Sequence, residues 1–197
     1  DLNIGVLAVQ GDFAEHIALL SMLGVEAQEV RLPHQMAELD GLIIPGGEST
    51  TLSRLMSLYN LREPVAQLCR DGKGLWGTCA GMIMMAREIT EEDPVPMGLM
   101  DIVVQRNYFG RQIDSFEQDL EVQAFDGGPF HAIFIRAPGL LQVGSSAQVL
   151  ASLPDGRPVA VRQGNMLVSS FHPELTKDTR FHQYFLDLAA EGRALSR

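Results

Sequence analysis

Thiols are scarce in this chain. Its 197 residues hold two cysteines, Cys69 and Cys79, and no Cys-x-x-Cys pair, which argues against a thiolate zinc site or a redox dithiol. No apolar run approaches the ~20 residues of a membrane span. Residues 1–9, DLNIGVLAV, carry no basic n-region and no cleavage-site pattern. No secretory signal is therefore expected, and the cytosol is the expected location. In that compartment a disulfide between the two cysteines is not expected. Positive charge is also in short supply: 15 Lys and Arg stand against 25 Asp and Glu, a net charge of −10. An acidic chain repels phosphate backbones, and its arginines form no stripe, so neither nucleic acid nor a membrane is an expected partner. The acid excess reads as a solubility device. Internal repeats, Pro/Ser-rich linkers, a G-x-x-x-x-G-K-[ST] phosphate loop and a dinucleotide fingerprint are missing as well.

What is present is a regular alternation, with 46% hydrophobic residues to supply a core. Pattern predicts strands over 3–9, 26–32, 41–45 and 74–77, and helices over 13–23, 50–59, 62–71 and 80–88. Such alternation gives a mostly parallel sheet with helices on both faces. The second half changes to strands over 99–107, 119–125, 130–136, 147–152, 158–163 and 166–171, separated by turn signals such as Pro154-Asp155-Gly156. These read as antiparallel hairpins added to the sheet, closed by an amphipathic helix over 178–190. The length fits one domain over 1–197.

Ligands of open α/β sheets gather at the carboxyl ends of the strands, and Cys79 falls there, in LWGTCAGMIMM (75–85). Gly77-Thr78-Cys79-Ala80-Gly81 matches a nucleophile elbow with sulfur in place of the usual oxygen. A sharp strand-to-helix turn leaves no room for side chains beside the nucleophile, and glycine at 77 and 81 removes the clash. The helix starting near Ala80 offers free N–H groups and a positive dipole end; both favour a thiolate. The N–H of Ala80 is also placed to hold an oxyanion. A nucleophile of this kind needs a base and an orienter. Of the five histidines, His16, His34, His131 and His182 read as ordinary core or surface residues. His172, in SSFHPEL (169–175), stands at a strand end with Pro173 after it. Proline biases His172 towards extended geometry, which would put His172 and Glu174 on one face. Cys79, His172 and Glu174 are thus a candidate nucleophile, base and orienter. LIIPGGEST (42–50) adds a turn whose Gly47 N–H is a candidate second oxyanion donor; the other reading is a plain turn with Ser49 or Thr50 capping the next helix.

The elbow together with His172-Pro173-Glu174 resembles the class I, triad-type glutamine amidotransferases. VLAVQGDFAEH (6–16), PGGEST (45–50), RNYFGRQIDSFE (106–117), FIRAP (134–138) and SFHPELT (170–176) narrow it to the glutaminase-subunit family of pyridoxal 5′-phosphate synthase, over about residues 3–187. The resemblance implies a flavodoxin-like fold, no cofactor and no metal. It implies hydrolysis of L-glutamine through a γ-glutamyl thioester on Cys79, with His172 as base and acid. It further implies that Gly46, Gly47 and Glu48 line the glutamine pocket, that Arg106, Ile135 and Arg136 bind substrate, and that Gln10 lies near the oxyanion hole. The implied partner is the synthase subunit, as a dodecameric core that receives the ammonia. Two rivals share parts of the pattern. A glutaminase subunit of another pathway, such as histidine biosynthesis, should lack RNYFGRQ and FIRAP. A non-enzymatic flavodoxin-like protein with an oxidisable cysteine would not need His-x-Glu.

Overall fold

The computed structural model describes residues 1–109 and 114–196; residues 110–113 of the RNYFGRQIDSFE segment lie outside the described residues. The first half follows the expected alternation: β1 (Ile4–Leu7), α1 (Phe13–Met22), β2 (Gln28–Val30), β3 (Gly41–Ile44), α2 (Ser49–Leu58), α3 (Arg62–Arg70), β4 (Gly74–Thr78) and α4 (Ala80–Met85). Then come β5 (Ala86–Ile89), β6 (Met100–Gln105), β7 (Ser115–Leu120), β8 (Phe130–Ile135), β9 (Gly139–Val143), β10 (Gln148–Ser152), β11 (Pro158–Gln163), β12 (Met166–Ser169) and α5 (Arg180–Leu195).

The main sheet has seven strands in the order β10-β11-β12-β4-β3-β1-β2. From β2 to β12 neighbouring strands are parallel, and β11 and β10 add antiparallel to that edge. Its parallel part has the 2-1-3-4-5 order of flavodoxin-like folds, whose switch point, where ligands bind, lies between the first and third strands. Here that crevice opens beyond Leu7 and Ile44, so Gln10 and the Gly46-Gly47 turn border it. The central strands β1, β3 and β4 are buried on both faces. Leu7, Ile44 and Leu75 pack against α2, α3 and α4 through Leu52, Met56, Val65 and Leu68. Ile43, Trp76 and Leu167 face α5 through Phe181, Phe185 and Ala189. Beside the main sheet stand a three-stranded sheet, β5-β6-β9, and the β7-β8 hairpin. The hairpin is tied to the rim by the His172 N–H, which donates to Ile133 O at 2.8 Å.

Four expectations about elements need correction. The helix expected over 80–88 stops at Met85; Ala86 turns extended (φ −63°, ψ 151°) and starts a strand parallel to β6. The strand expected over 119–125 is Ser115–Leu120, held by six paired positions with β8. β9 falls in GLLQV, where no strand was expected, and exists because β6 offers it an edge. The closing helix runs from Arg180 to Leu195 rather than over 178–190.

The elbow is the tightest point. A Cβ at Gly81 would lie 2.0 Å from Ile44 O, and one at Gly77 would lie 2.5 Å from the Gly81 carbonyl. Both obstacles are backbone and cannot swing aside, so α4 meets β3 and β4 at backbone distance. Gly81→Ala is expected to cost about 2–3 kcal/mol of unfolding free energy in chemical denaturation, the scale of core overpacking. A variant as stable as the parent would contradict this packing.

Candidate active site

β4 ends at Thr78 and α4 begins at Ala80, so Cys79 takes the whole change of direction. Its φ of 52° and ψ of −105° lie in a region that costs an L-residue energy and persists only when its surroundings enforce it. The enforcement is visible: Cys79 N–H donates to Ser169 O at 2.9 Å, and Cys79 O accepts from Ile83 N–H at 3.2 Å. The strain aims a nearly buried thiol at the rim, where Sγ stands 3.9 Å from Ile135 O.

His172 follows three residues after Ser169, the last paired residue of β12. The following segment is not extended, as the proline suggested, but a single 3-10 turn over Pro173–Leu175. Proline suits the first position of such a turn, having a fixed φ and no N–H to leave unsatisfied. The turn, not strand alternation, folds Glu174 back onto the ring: His172 Nδ1 lies 3.0 Å from Oε1 and 3.2 Å from Oε2. Asp12 Oδ2 lies 3.5 Å from the same nitrogen. The Cys79 side chain is close enough for its charge to act on the imidazole. A Cβ on Gly46 would strike His172 Cε1 at 2.6 Å and approach Cys79 Cβ to 3.2 Å, so the glycine lets the ring and the thiol share one space.

Burial alone would lower the pKa of His172. Interactions with the Asp12, Cys79 and Glu174 side chains, the charge of Cys79 among them, outweigh it and push the value up to about 12. Burial raises the carboxyl of Glu174 above the usual range, against the pull of the His172 hydrogen bond and charge. The proton belongs to the pair, and imidazole is its more basic seat. Asp12, His172 and Glu174 each bring a ligand atom within 4.8 Å of the others. With Nδ1 holding that proton, the cluster is suited to hydrogen bonding and not to ligating a metal.

The remaining expected residues divide into those close to the thiol and those at the mouth. Gln10 Oε1 accepts from Glu48 N–H at 3.1 Å and fills the space where a Gly47 side chain would stand, 1.9 Å from a Cβ there. Its Nε2 is buried without a partner. Gly46 N–H donates to Thr78 Oγ1 at 3.0 Å, which fixes the turn to β4. Glu48 caps α2, accepting from Thr50 N–H at 3.1 Å and Thr51 N–H at 2.5 Å. It therefore takes the capping role expected of Ser49 or Thr50, because a longer side chain reaches both free amides. Burial pushes its carboxyl up, but those amides win and hold it below its ordinary value. Arg106 reaches Glu48 Oε1 and Thr50 Oγ1, each at 3.3 Å, and Asp93 O at 2.9 Å. Ile135 and Arg136 are exposed where β8 ends beside the thiol; Arg136 has a φ of 44°, left-handed for a non-glycine. Cys69 is remote from this group and rests 3.5 Å from Met166 Sδ, its thiol pushed up by burial against the lowering effect of Arg70. Both cysteines are free.

Sequence reasoning missed Asp12 and the depth of His16 and His182. Asp12 precedes α1 at the switch crevice, so position alone could have marked it. His16 and His182 are fully buried and bonded to each other, Nδ1 to Nε2, at 2.9 Å. No local pattern announces a pair separated by 166 positions.

The fold places the chain among the glutamine amidotransferases. A solved structure described as a glutamine amidotransferase superposes with a TM-score of 0.89 at 50% identity, covering 95% of this chain and 98% of that one. The family is more specific: the chain belongs to the SNO glutamine amidotransferase family, whose model matches residues 6–191. Among curated relatives, the pyridoxal 5′-phosphate synthase subunit PdxT of Dehalococcoides mccartyi is 54% identical over 192 residues, 96% of this chain and 98% of that protein. The protein of the same name from Herpetosiphon aurantiacus is 53% identical over 190 residues, 95% of this chain and 100% of that protein.

The buried histidines predict a pH dependence of stability. His16 is held well below its ordinary value of 6.5 by burial, then by the charges of His182 and His172; burial lowers His182 to about 3. Below about pH 6.5 the unfolded chain binds these protons and the folded chain does not, so their contribution is complete above 6.5 and lost as pH falls towards 3. Each can cost up to about 1.4 kcal/mol per pH unit in that window. His172 adds nothing there, since below its ordinary value it is protonated in both states; its contribution falls as pH rises above 6.5 and is gone by about pH 12. Glu174 works the other way, so a comparison isolates the histidines. Between pH 7 and 5 the melting temperature of the parent is expected to fall more steeply than that of His182→Phe. Parallel curves would contradict the assignment.

Proposed function

We propose that this chain is the glutaminase subunit of a pyridoxal 5′-phosphate synthase, acting as one amidotransferase domain over 1–197 in the cytoplasm. The reaction is hydrolysis of the side-chain amide of L-glutamine. The observation that carries it is the buried convergence of three groups: an elbow cysteine, the imidazole that shares with it the space beside Gly46, and Glu174 at 3.0 Å behind the ring.

The Cys79 thiolate attacks the amide carbon. The N–H groups of Ala80 and Gly47 hold the oxyanion; the partnerless Gln10 Nε2 beside Gly47 supports a place for its amide there. As the C–N bond breaks, His172 gives its proton to the leaving nitrogen and ammonia departs. Water then gives a proton to His172 and attacks the γ-glutamyl thioester. The C–S bond breaks, glutamate is released and the thiolate is regenerated. Through both steps Glu174 keeps Nδ1 of His172 protonated and stabilises the imidazolium. At the mouth, Gly46, Gly47, Glu48 and Ile135 shape the glutamine pocket. Glu48 suits the substrate ammonium, and Arg106 or Arg136 its carboxylate. No cofactor takes part in this scheme.

Free ammonia would be protonated and lost in water, so an acceptor-bearing partner is required. The name shared by the curated relatives, with their near-complete coverage, supports the synthase subunit as that partner. Its dodecameric form is part of the proposal. Glutamate release is expected when the chain is mixed with that synthase subunit and L-glutamine. Cys79→Ala or His172→Asn is expected to lower the rate at least about a thousandfold. No release with the synthase subunit present, or full release by Cys79→Ala, would overturn the reading.

A further inference from the structure

Behind Glu174 the polar chain continues into the core. His16, on α1, presents Nε2 to Glu174 Oε2 at 3.7 Å, and this nitrogen is buried with no hydrogen-bond partner. Its Nδ1 meets His182 Nε2, from α5, at 2.9 Å, and His182 Nδ1 is likewise buried and partnerless. Trp76 of β4 packs edge-on against both rings, its centroid 5.5 Å from His16 and 4.7 Å from His182. The indole N–H is committed to Ser169 Oγ at 3.1 Å and cannot serve either imidazole. Besides Glu174 and His182, the charged groups acting here are His172, whose charge reaches His16, and Asp12 at the start of α1, whose charge reaches Glu174.

Two neutral imidazoles sharing one hydrogen bond have only two proton arrangements. One puts an N–H of His16 towards Glu174 and leaves His182 Nδ1 bare. The other turns a lone pair of His16 towards a carboxylate that can only accept, and strands an N–H of His182 among apolar groups. The first is favoured at both ends. Apolar side chains at 16 and 182 would fill this space among Trp76, Phe181 and Phe185 without burying two imidazoles. The polar pair abuts the carboxylate that His172 uses.

We propose that His16 is a positioning residue: its Nε2–H faces the second oxygen of Glu174 from 3.7 Å and steadies it by charge–dipole attraction, and His182 fixes the tautomer that turns this N–H towards the carboxylate. This rests on the amidotransferase reading of Cys79 and His172. The need for such a support is visible in the geometry. His172 Nδ1 is nearly equidistant from both Glu174 oxygens, and Asp12 Oδ2 at 3.5 Å competes for it. An N–H facing Oε2 keeps the carboxylate from swinging and biases the imidazole proton towards Glu174.

Two amide substitutions separate the contacts of His16. In His16→Gln the terminal NH2 takes the place of Nε2 and still faces Glu174. In His16→Asn the shorter side chain reaches His182 and leaves Glu174 unsupported. With the synthase subunit and L-glutamine, His16→Gln is expected to keep most of the rate. His16→Asn is expected to lose about tenfold in kcat with KM changed less than about twofold, the scale of a lost charge–dipole contact in a buried site. Iodoacetamide labelling of Cys79 at pH 7, followed by peptide mass spectrometry, is expected to follow the same order without glutamine or partner. Equal kcat and equal labelling in the two folded variants would overturn the proposal. If the parent releases no glutamate but labelling keeps this order, the support of His172 stands and the glutaminase reading falls. Nitrogen NMR of the parent needs no variant: both rings should carry the proton on Nε2, and an Nδ1–H tautomer at His16 would also overturn it.

Discussion

The bond from His172 Nδ1 to Glu174, buried and 3.0 Å long, is the constraint on which the rest of the site depends. Without it the imidazole could rotate, its proton could settle on either nitrogen, and the thiol would face a ring of undefined direction. With it, one ring edge is committed and the other is free for chemistry at sulfur. A carboxylate and an imidazole so far from water cost desolvation unless they pair. The protein compensates with a second carboxylate at Asp12 and with the thiol itself, and holds the ring basic in spite of its burial.

The fold delivers these groups by backbone contact more than by side-chain adjustment. α4 lies directly against β3 and β4 because Gly77 and Gly81 leave no Cβ between them. That closeness forces the strained turn at Cys79. The parallel pairing of β12 with β4, Ser169 opposite Thr78, then brings His172 level with the elbow. The switch between β1 and β3 opens the crevice into which Gln10, Asp12 and the Gly46-Gly47 turn project. Site and sheet topology are therefore one construction: a register slip of β12 by one residue would turn its side chains to the opposite face and separate His172 from Cys79.

Much of this was legible in the residues. The elbow could be read because its chemistry demands small neighbours at fixed spacing. His172 and Glu174 were paired correctly but for the wrong reason, since proline starts a 3-10 turn here instead of prolonging the strand. The elements that escaped are those whose identity depends on a partner. Ala86–Ile89 continues the apolar helix before it without a break in pattern, and becomes a strand because β6 lies alongside. SFEQDL hides a strand because its outward positions are charged. The His16–His182 contact joins the first helix to the last, and nothing near either residue predicts it.

The most direct test of the central claim uses a glutamine analogue with a diazoketone in place of the side-chain amide. Such a group needs a proton from an acid and attack by a thiolate at one point in space, the two roles proposed for His172 and Cys79. Mass spectrometry should find the label on Cys79 and not on Cys69, at a rate that collapses in His172→Asn. Label on Cys69, or labelling of Cys79 at the parental rate without the imidazole, would contradict a site built on the convergence of those two side chains.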